Sequence, residues 1–367
     1  MSFKRKFRKS LFEFEKKSYV KESIPKNLLD CSLGTNPFGF PEEILREIEL
    51  ESFDLSNYPS PYNDLLRESL VEYWGDAFSK DEVFISSGSI GCLEKINKFA
   101  ISEGSRVLGY VPQFQEYITE VKLMGGIYEY VALKEEKDFE FIPEELMEKI
   151  TEEHVLAYID NPNNPTGQVI PLDIIEEIVK KAASKDVIVL VDEAYGDFMD
   201  KENSAINLDY QNLIVVRSFS KGLGLANLRI GYVVIKGEEL RELYSKVNLP
   251  FQVSTLAERI AVKVLEHPEF LKESIRKISE EKKKMVDHLR KAGFKVAKTE
   301  MSVPILLAGK KGLDTYNYLL QKGILAVNGA DFLGVDPSYV RIRIPEKAET
   351  FIKQLQKSKK NLGESFS

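Results

Sequence analysis

The chain has 367 residues, enough for about two domains, and 43% are apolar, so a large core is available. Its 51 Lys and Arg stand against 58 Asp and Glu, and a net charge of −7 offers no basic field to nucleic acid or an anionic membrane. Two cysteines (Cys31, Cys92) and three scattered histidines suit neither a disulfide framework nor a metal centre, and no apolar run nears the roughly 20 residues that span a bilayer, so a reducing, cytoplasmic setting is expected.

In chain order, the N-terminus is basic (Lys4, Arg5, Lys6, Arg8, Lys9) and is followed by further charge over 12–17. That pattern predicts a solvated amphipathic helical arm and no signal peptide. Gly34-Thr35-Asn36-Pro37 has loop chemistry. Val83-Phe84-Ile85 reads as a strand, with Ser86-Ser87-Gly88-Ser89 leading into a helix over 90–101. Further strands are predicted at 106–110 and 154–159, then a Pro/Asn/Gly loop and a helix over 172–184, then buried strands at 187–191, 213–216 and 230–235. Buried strands separated by helices imply parallel crossover units and an α/β sheet covered on both faces, with ligands beyond the carboxyl ends of the strands.

After residue 250 the character changes. A charged helix is predicted over 268–291, with Leu271, Ile275, Ile278, Met285 and Leu289 on one stripe, followed by short strands near 304–307 and 339–344. The expected division is 1–50 as an arm and part of a small domain, 51–250 as a large ligand-binding domain, and 251–367 as a small α+β domain.

Three motifs stand at strand ends. Asn161-Pro162-Asn163-Asn164-Pro165-Thr166-Gly167 is by itself a tight turn. In Val191-Asp192-Glu193-Ala194-Tyr195 an acid ends an apolar strand, where it is a helix cap or a buried carboxylate in need of a cationic partner. Arg217-Ser218-Phe219-Ser220-Lys221-Gly222-Leu223-Gly224 sets a Lys in apolar, Gly-rich surroundings. Desolvation there would lower its pKa and free the amine as a nucleophile; the plain alternative is a solvated surface loop. Gly222 to Asn227 only half-matches a dinucleotide fingerprint. Taken together, an amine (Lys221), a buried carboxylate (Asp192), phenolate donors (Asn164, Tyr195), phosphate donors (Ser218, Ser220, Arg229) and a helix start at Gly88-Ser89-Ile90 describe a site for pyridoxal phosphate.

These motifs resemble the signatures of class I/II aminotransferases, and within them the histidinol-phosphate aminotransferase and threonine-phosphate decarboxylase branch. Leu228-Arg229-Ile230-Gly231-Tyr232, Asn36-Pro37-Phe38-Gly39, Asn57-Tyr58-Pro59, Pro112-Gln113-Phe114-Gln115-Glu116-Tyr117 and Tyr339-Val340-Arg341 match in the same order. The resemblance implies a fold type I pyridoxal-phosphate enzyme, with a mostly parallel seven-stranded sheet, a small domain from both termini, and a homodimer with shared sites. It makes Lys221 the Schiff-base lysine and proton shuttle, and it pairs Asp192 with the ring nitrogen. Asn164 and Tyr195 meet the ring hydroxyl, and Phe114 stacks on the ring. Gly88, Ser89, Ile90, Ser218, Ser220 and Arg229 hold the phosphate, and Tyr58 reaches the partner's phosphate. Arg341, with Asn164 and Asn36, binds substrate.

One departure bears on the substrate. This branch follows a Gly-Ile motif with an Arg that contacts a substrate phosphate; here Gly323-Ile324-Leu325-Ala326-Val327 puts Val327 at that place. An unphosphorylated amino acid, apolar or aromatic, is therefore the expected donor, with Arg343 able to replace the contact. The expected reaction is amino transfer between an amino acid and a 2-oxo acid. Decarboxylation with the same cofactor is the alternative, and a ligand-sensing domain of a transcription regulator is disfavoured for want of room for a DNA-binding helix pair.

Overall fold

A computed structural model of the chain describes residues 7–13, 28–48 and 54–357. Most of the expected basic arm, including Lys4, Arg5 and Lys6, lies outside these residues. In chain order the strands begin with β1 (Leu29–Asp30), β2 (Val83–Ser86), β3 (Arg106–Val111), β4 (Ile127–Ala132), β5 (His154–Asp160), β6 (Ile188–Glu193), β7 (Leu213–Ser218) and β8 (Gly231–Ile235). β2 to β8 form a seven-stranded sheet in the order β2-β8-β7-β6-β5-β3-β4. Neighbours from β7 through β4 run parallel, and β8 runs antiparallel to both β7 and β2. The sequence pattern does not single out β4. As an edge strand it buries only Tyr128 and Val131, and it exposes Ile127, Tyr130 and Ala132.

The apolar runs of β5 and β6 alternate between two cores. Ala157, Ile159, Val189 and Val191 join one cluster, and Leu156, Tyr158 and Leu190 join the other. This is the period-two pattern of a sheet covered on both faces. Helix Leu172–Ala183 closes the first face with Ile175, Ile178, Val179 and Ala182, an i, i+3, i+4, i+7 stripe. Helix Gly88–Ala100 closes the second with Cys92, Leu93 and Ile96.

The remaining strands are β9 (Lys295–Val296), β10 (Ile305–Gly309), β11 (Ile324–Leu325), β12 (Val327–Asn328) and β13 (Tyr339–Arg343). β12-β13-β10-β9 form an antiparallel sheet, and β1 pairs with β11 in parallel. Helix Pro268–Lys291 packs Ile278, Met285 and Leu289 against this sheet. Its stripe passes through Lys282, where the period calls for an apolar residue. The Lys282 ammonium is fully buried, and Thr299 Oγ1 (2.6 Å) and the carbonyls of Glu300 (2.7 Å), Val303 (2.8 Å) and Ile305 (2.7 Å) surround it.

The chain divides less simply than its composition suggests. Helix Thr255–Leu265 packs Ala257, Ile260, Ala261 and Val264 into the large core, so the expected boundary at residue 250 falls inside one packed body. The N-terminal segment splits as well: Cys31 joins the small core and Ile44 the large one. Among the described residues no helix is long and apolar enough to cross a membrane.

Candidate active site

β5, β6 and β7 are parallel, so their carboxyl ends point the same way and their following loops converge. A cavity of about 280 Å³ lies there, lined by Asp160, Asp192, Ser218, Ser220 and Lys221, and by Arg341 from the small sheet. Lys221 projects from the turn after β7, its Nζ 5.2 Å from the centre of the Tyr195 ring. Burial pulls its ammonium down to about 8; Arg341 and Arg229 add to the shift and Asp192 opposes it. The loop behind Lys221 is fixed from below. Arg217 pairs with Glu193 (2.9 Å) and Asp197 (2.6 Å), all three buried, and the turn packs on this pair so closely that a Cβ at Gly222 would lie 2.3 Å from the Asp197 Cβ.

The Asp192 carboxylate is 4% exposed and accepts from Ala194 N–H (3.0 Å) and the Tyr158 hydroxyl (3.0 Å). Burial and the negative Asp160 push its pKa up to about 7, against those two donors and Lys221. The cationic partner that its burial calls for is thus not an adjoining side chain among the described residues, and a protonated group of a ligand in the cavity would suit it.

At the other end of the cavity, Ser220 N–H donates to Ser218 Oγ (3.1 Å) and Arg229 Nη1 donates to Ser220 Oγ (3.2 Å). Gly88 has φ +78°, and a Cβ there would lie 2.6 Å from the Arg229 guanidinium. Glycine lets the start of helix Gly88–Ala100 come against that cation, and Ser89 and Ile90 line the cavity. Free N–H groups at a helix start, two hydroxyls and a guanidinium make an anion site.

Between these ends, Phe114, Asn164 and Tyr195 line the walls. Burial raises the Tyr195 pKa, with Arg341 and Arg343 opposing, so its hydroxyl stays a donor. Arg341 is 3% exposed and donates to Asn164 Oδ1 at 3.0 Å. Gly34 completes the wall, where any Cβ would collide with the Tyr195 hydroxyl.

Two expected site residues stand elsewhere. Asn36 does not line the cavity: its amide donates to the Gly222 carbonyl (2.9 Å) and its oxygen accepts from Phe38 N–H (2.9 Å), which ties it to the turn after Lys221. Tyr58 is 83% exposed and sits against Phe251, ring centres 4.9 Å apart, outside this chain's own cavity. Conversely, Asp160 lines the cavity although none of the three motifs includes it, and it carries the signal that singles out Asp192, an acid ending an apolar strand. Gly34 and Tyr158 carry no such signal.

The donor set fits pyridoxal phosphate. It has an amine of lowered pKa, a buried carboxylate with high proton affinity, hydroxyl donors between them and an anion site at the far end. Comparisons with known proteins agree. Residues 26–355 match the family "Aminotransferase class I and II". A histidinol-phosphate aminotransferase of Methanococcoides burtonii is 32% identical over 326 residues, 89% of this chain and 88% of that protein. The solved histidinol-phosphate aminotransferase of Clostridium acetobutylicum has a TM-score of 0.79 at 26% identity, covering 89% of this chain and 97% of that one. That of Sinorhizobium meliloti, solved in complex with pyridoxal-5'-phosphate, shares the fold at a TM-score of 0.77 and 22% identity, with 90% of each chain covered. The chain belongs to the class I and II aminotransferases, and it is a pyridoxal-phosphate-dependent enzyme of fold type I.

Proposed function

We propose that this aminotransferase works from the cavity at the ends of β5, β6 and β7, with Lys221 as its proton-transferring residue. The observation that carries the reading is that an amine of lowered pKa, a buried carboxylate and the Arg341 guanidinium line one cavity. The bound cofactor supplies an aldehyde and a conjugated ring that draws electrons from the substrate's α-carbon. Lys221 would hold the cofactor through its amine, and that amine would also be the base that moves the substrate's α-carbon proton. Asp192 would keep a proton on the ring nitrogen, Asn164 and Tyr195 would donate to the ring hydroxyl, and Phe114 would cover the ring. Gly88, Ser89, Ile90, Ser218, Ser220 and Arg229 hold the phosphate. Borohydride treatment followed by peptide mapping tests this assignment: the cofactor should be fixed to Lys221 alone.

Arg341 anchors the substrate's anion, and its planar fork suits a carboxylate. Val327 on β12 pairs directly with Arg341 on β13, so the two side chains share a face. An Arg at 327 would set a second guanidinium beside the first and make a phosphate site; Val leaves one. This favours an amino acid donor with an unphosphorylated side chain. The names of the relatives favour a second reading, histidinol phosphate as donor, with Arg343 supplying the extra charge. Comparing kcat/KM for histidinol phosphate, threonine phosphate and free aromatic and aliphatic amino acids decides between them; a tenfold advantage for either ester overturns the first. Decarboxylation is not favoured, and an assay of 2-oxo acid against carbon dioxide release separates it.

The enzyme acts as a homodimer in the cytoplasm. Leu55 (89% exposed), Tyr58 (83%), Leu249 (65%) and Phe251 (42%) support a dimer, because apolar side chains this open call for a cover. Tyr58 then enters the partner's site. Mixing Tyr58→Phe with Lys221→Ala subunits should yield hybrids with one intact site; a monomer by light scattering overturns the dimer.

A further inference from the structure

Asp160 ends β5 in register with Asp192, and its carboxylate opens onto the cavity, yet none of the steps above uses it. It is 3% exposed. Oδ1 accepts from the Tyr110 hydroxyl (2.9 Å), the Gln113 amide (3.1 Å) and the Asn163 amide (3.0 Å). Oδ2 accepts from two backbone N–H groups, those of Phe114 (3.2 Å) and Asn164 (3.0 Å). All five donors are neutral. Burying a carboxylate without a cation is unfavourable, and burial raises the proton affinity of Asp160 against the pull of these donors. A carboxylate in that position is explained by what its two oxygens join.

They join two loops that meet nowhere in the sequence. Residues 112–115 follow β3 and carry Phe114; residues 161–167 follow β5 and carry Asn164. We propose that Asp160 is a positioning residue for the cofactor: a single carboxylate oxygen ties the Phe114 and Asn164 backbones together, so the side chain over the ring face and the side chain at the ring hydroxyl are held as one unit before the cofactor arrives. The proposal rests on the roles given to Phe114 and Asn164 above. Gln113 tightens the same unit from behind, since its amide oxygen accepts from Tyr110 N–H (2.9 Å) while its nitrogen donates to Asp160.

Asp160→Asn keeps the side chain's size but turns an amide N–H2 against either the three donors on Oδ1 or the two on Oδ2. In the full-length variant, absorbance titration of apoprotein with pyridoxal phosphate should show a dissociation constant raised about ten- to a hundredfold. The circular dichroism of the bound cofactor, scaled to occupancy, should fall because the ring is held less firmly. An unchanged dissociation constant and an unchanged dichroic band would overturn the proposal, whatever happens to thermal stability. Wild-type protein supplies a test free of any folding defect. By hydrogen exchange, segments 112–116 and 161–166 of the apoprotein should already be as protected as in the holoenzyme; protection that arises only with cofactor would overturn pre-assembly. If borohydride leaves wild-type Lys221 unlabelled, the parent reading fails instead, and the two failures stay distinct.

Discussion

The two sheets that meet at the cavity contribute to it very differently. Three adjacent strands of the large parallel sheet deliver Asp160, Asp192 and the loop of Lys221 to one place, because parallel strands all end on the same side. The small antiparallel sheet has ends that alternate, so no set of its loops converges. It offers a side chain from the middle of a strand, Arg341 on β13. In the proposed reading the large sheet would hold the cofactor chemistry, and the antiparallel sheet would present one recognition group to the substrate.

If that division is right, damage to the large sheet should abolish turnover, whereas damage to the small sheet should weaken substrate binding. The largest effect is expected of Lys221→Ala. Covalent attachment and proton transfer both go, and single-turnover rates should fall by several orders of magnitude; near-normal turnover would break the comparison. Asp192→Asn should still bind cofactor, but kcat should drop about a hundredfold or more, since a neutral amide does not hold a proton on the ring nitrogen. Arg341→Lys should behave in the opposite way, with KM for a carboxylate substrate raised about tenfold or more and kcat little changed. A kcat loss equal to that of Asp192→Asn would dissolve the distinction between the sheets.

The smallest expected effect is a pH shift that couples the two regions. As the proposed anchor, Lys221 would have to be neutral to attack the cofactor's aldehyde. With its pKa lowered to about 8, the rate of cofactor capture by apoprotein should climb as pH rises toward 8 and level off above it. Arg341→Gln removes a positive charge that disfavours the ammonium, so the lysine's pKa rises and the plateau moves to higher pH. Stopped-flow absorbance across pH 6–10 reads both profiles, and identical profiles would show that Arg341 does not influence Lys221.

Much of the large sheet was legible because its strands are short β-branched runs bounded by Gly, Pro and Asn, and because each motif follows one of them. Residues whose role depends on contacts between elements were not. Lys282 reads as one more charge on a charged helix, yet four oxygens from residues 299–305 bury it. Asn36 reads as part of a substrate loop, yet it braces the turn after Lys221. β4 reads as nothing in particular because half of its side chains face solvent.

By itself the sequence determined the order of strand, loop and helix, and with it which side chains stand at strand ends; these follow from local periodicity and from residues that restrict the backbone. The tertiary structure alone decided that Asp160 binds two separate loops, that Val327 lies beside Arg341, and that helix Thr255–Leu265 belongs with the large core. Each of these depends on the register between segments distant in the chain. Register is settled by burying many side chains at once, and no local stretch of sequence contains that information.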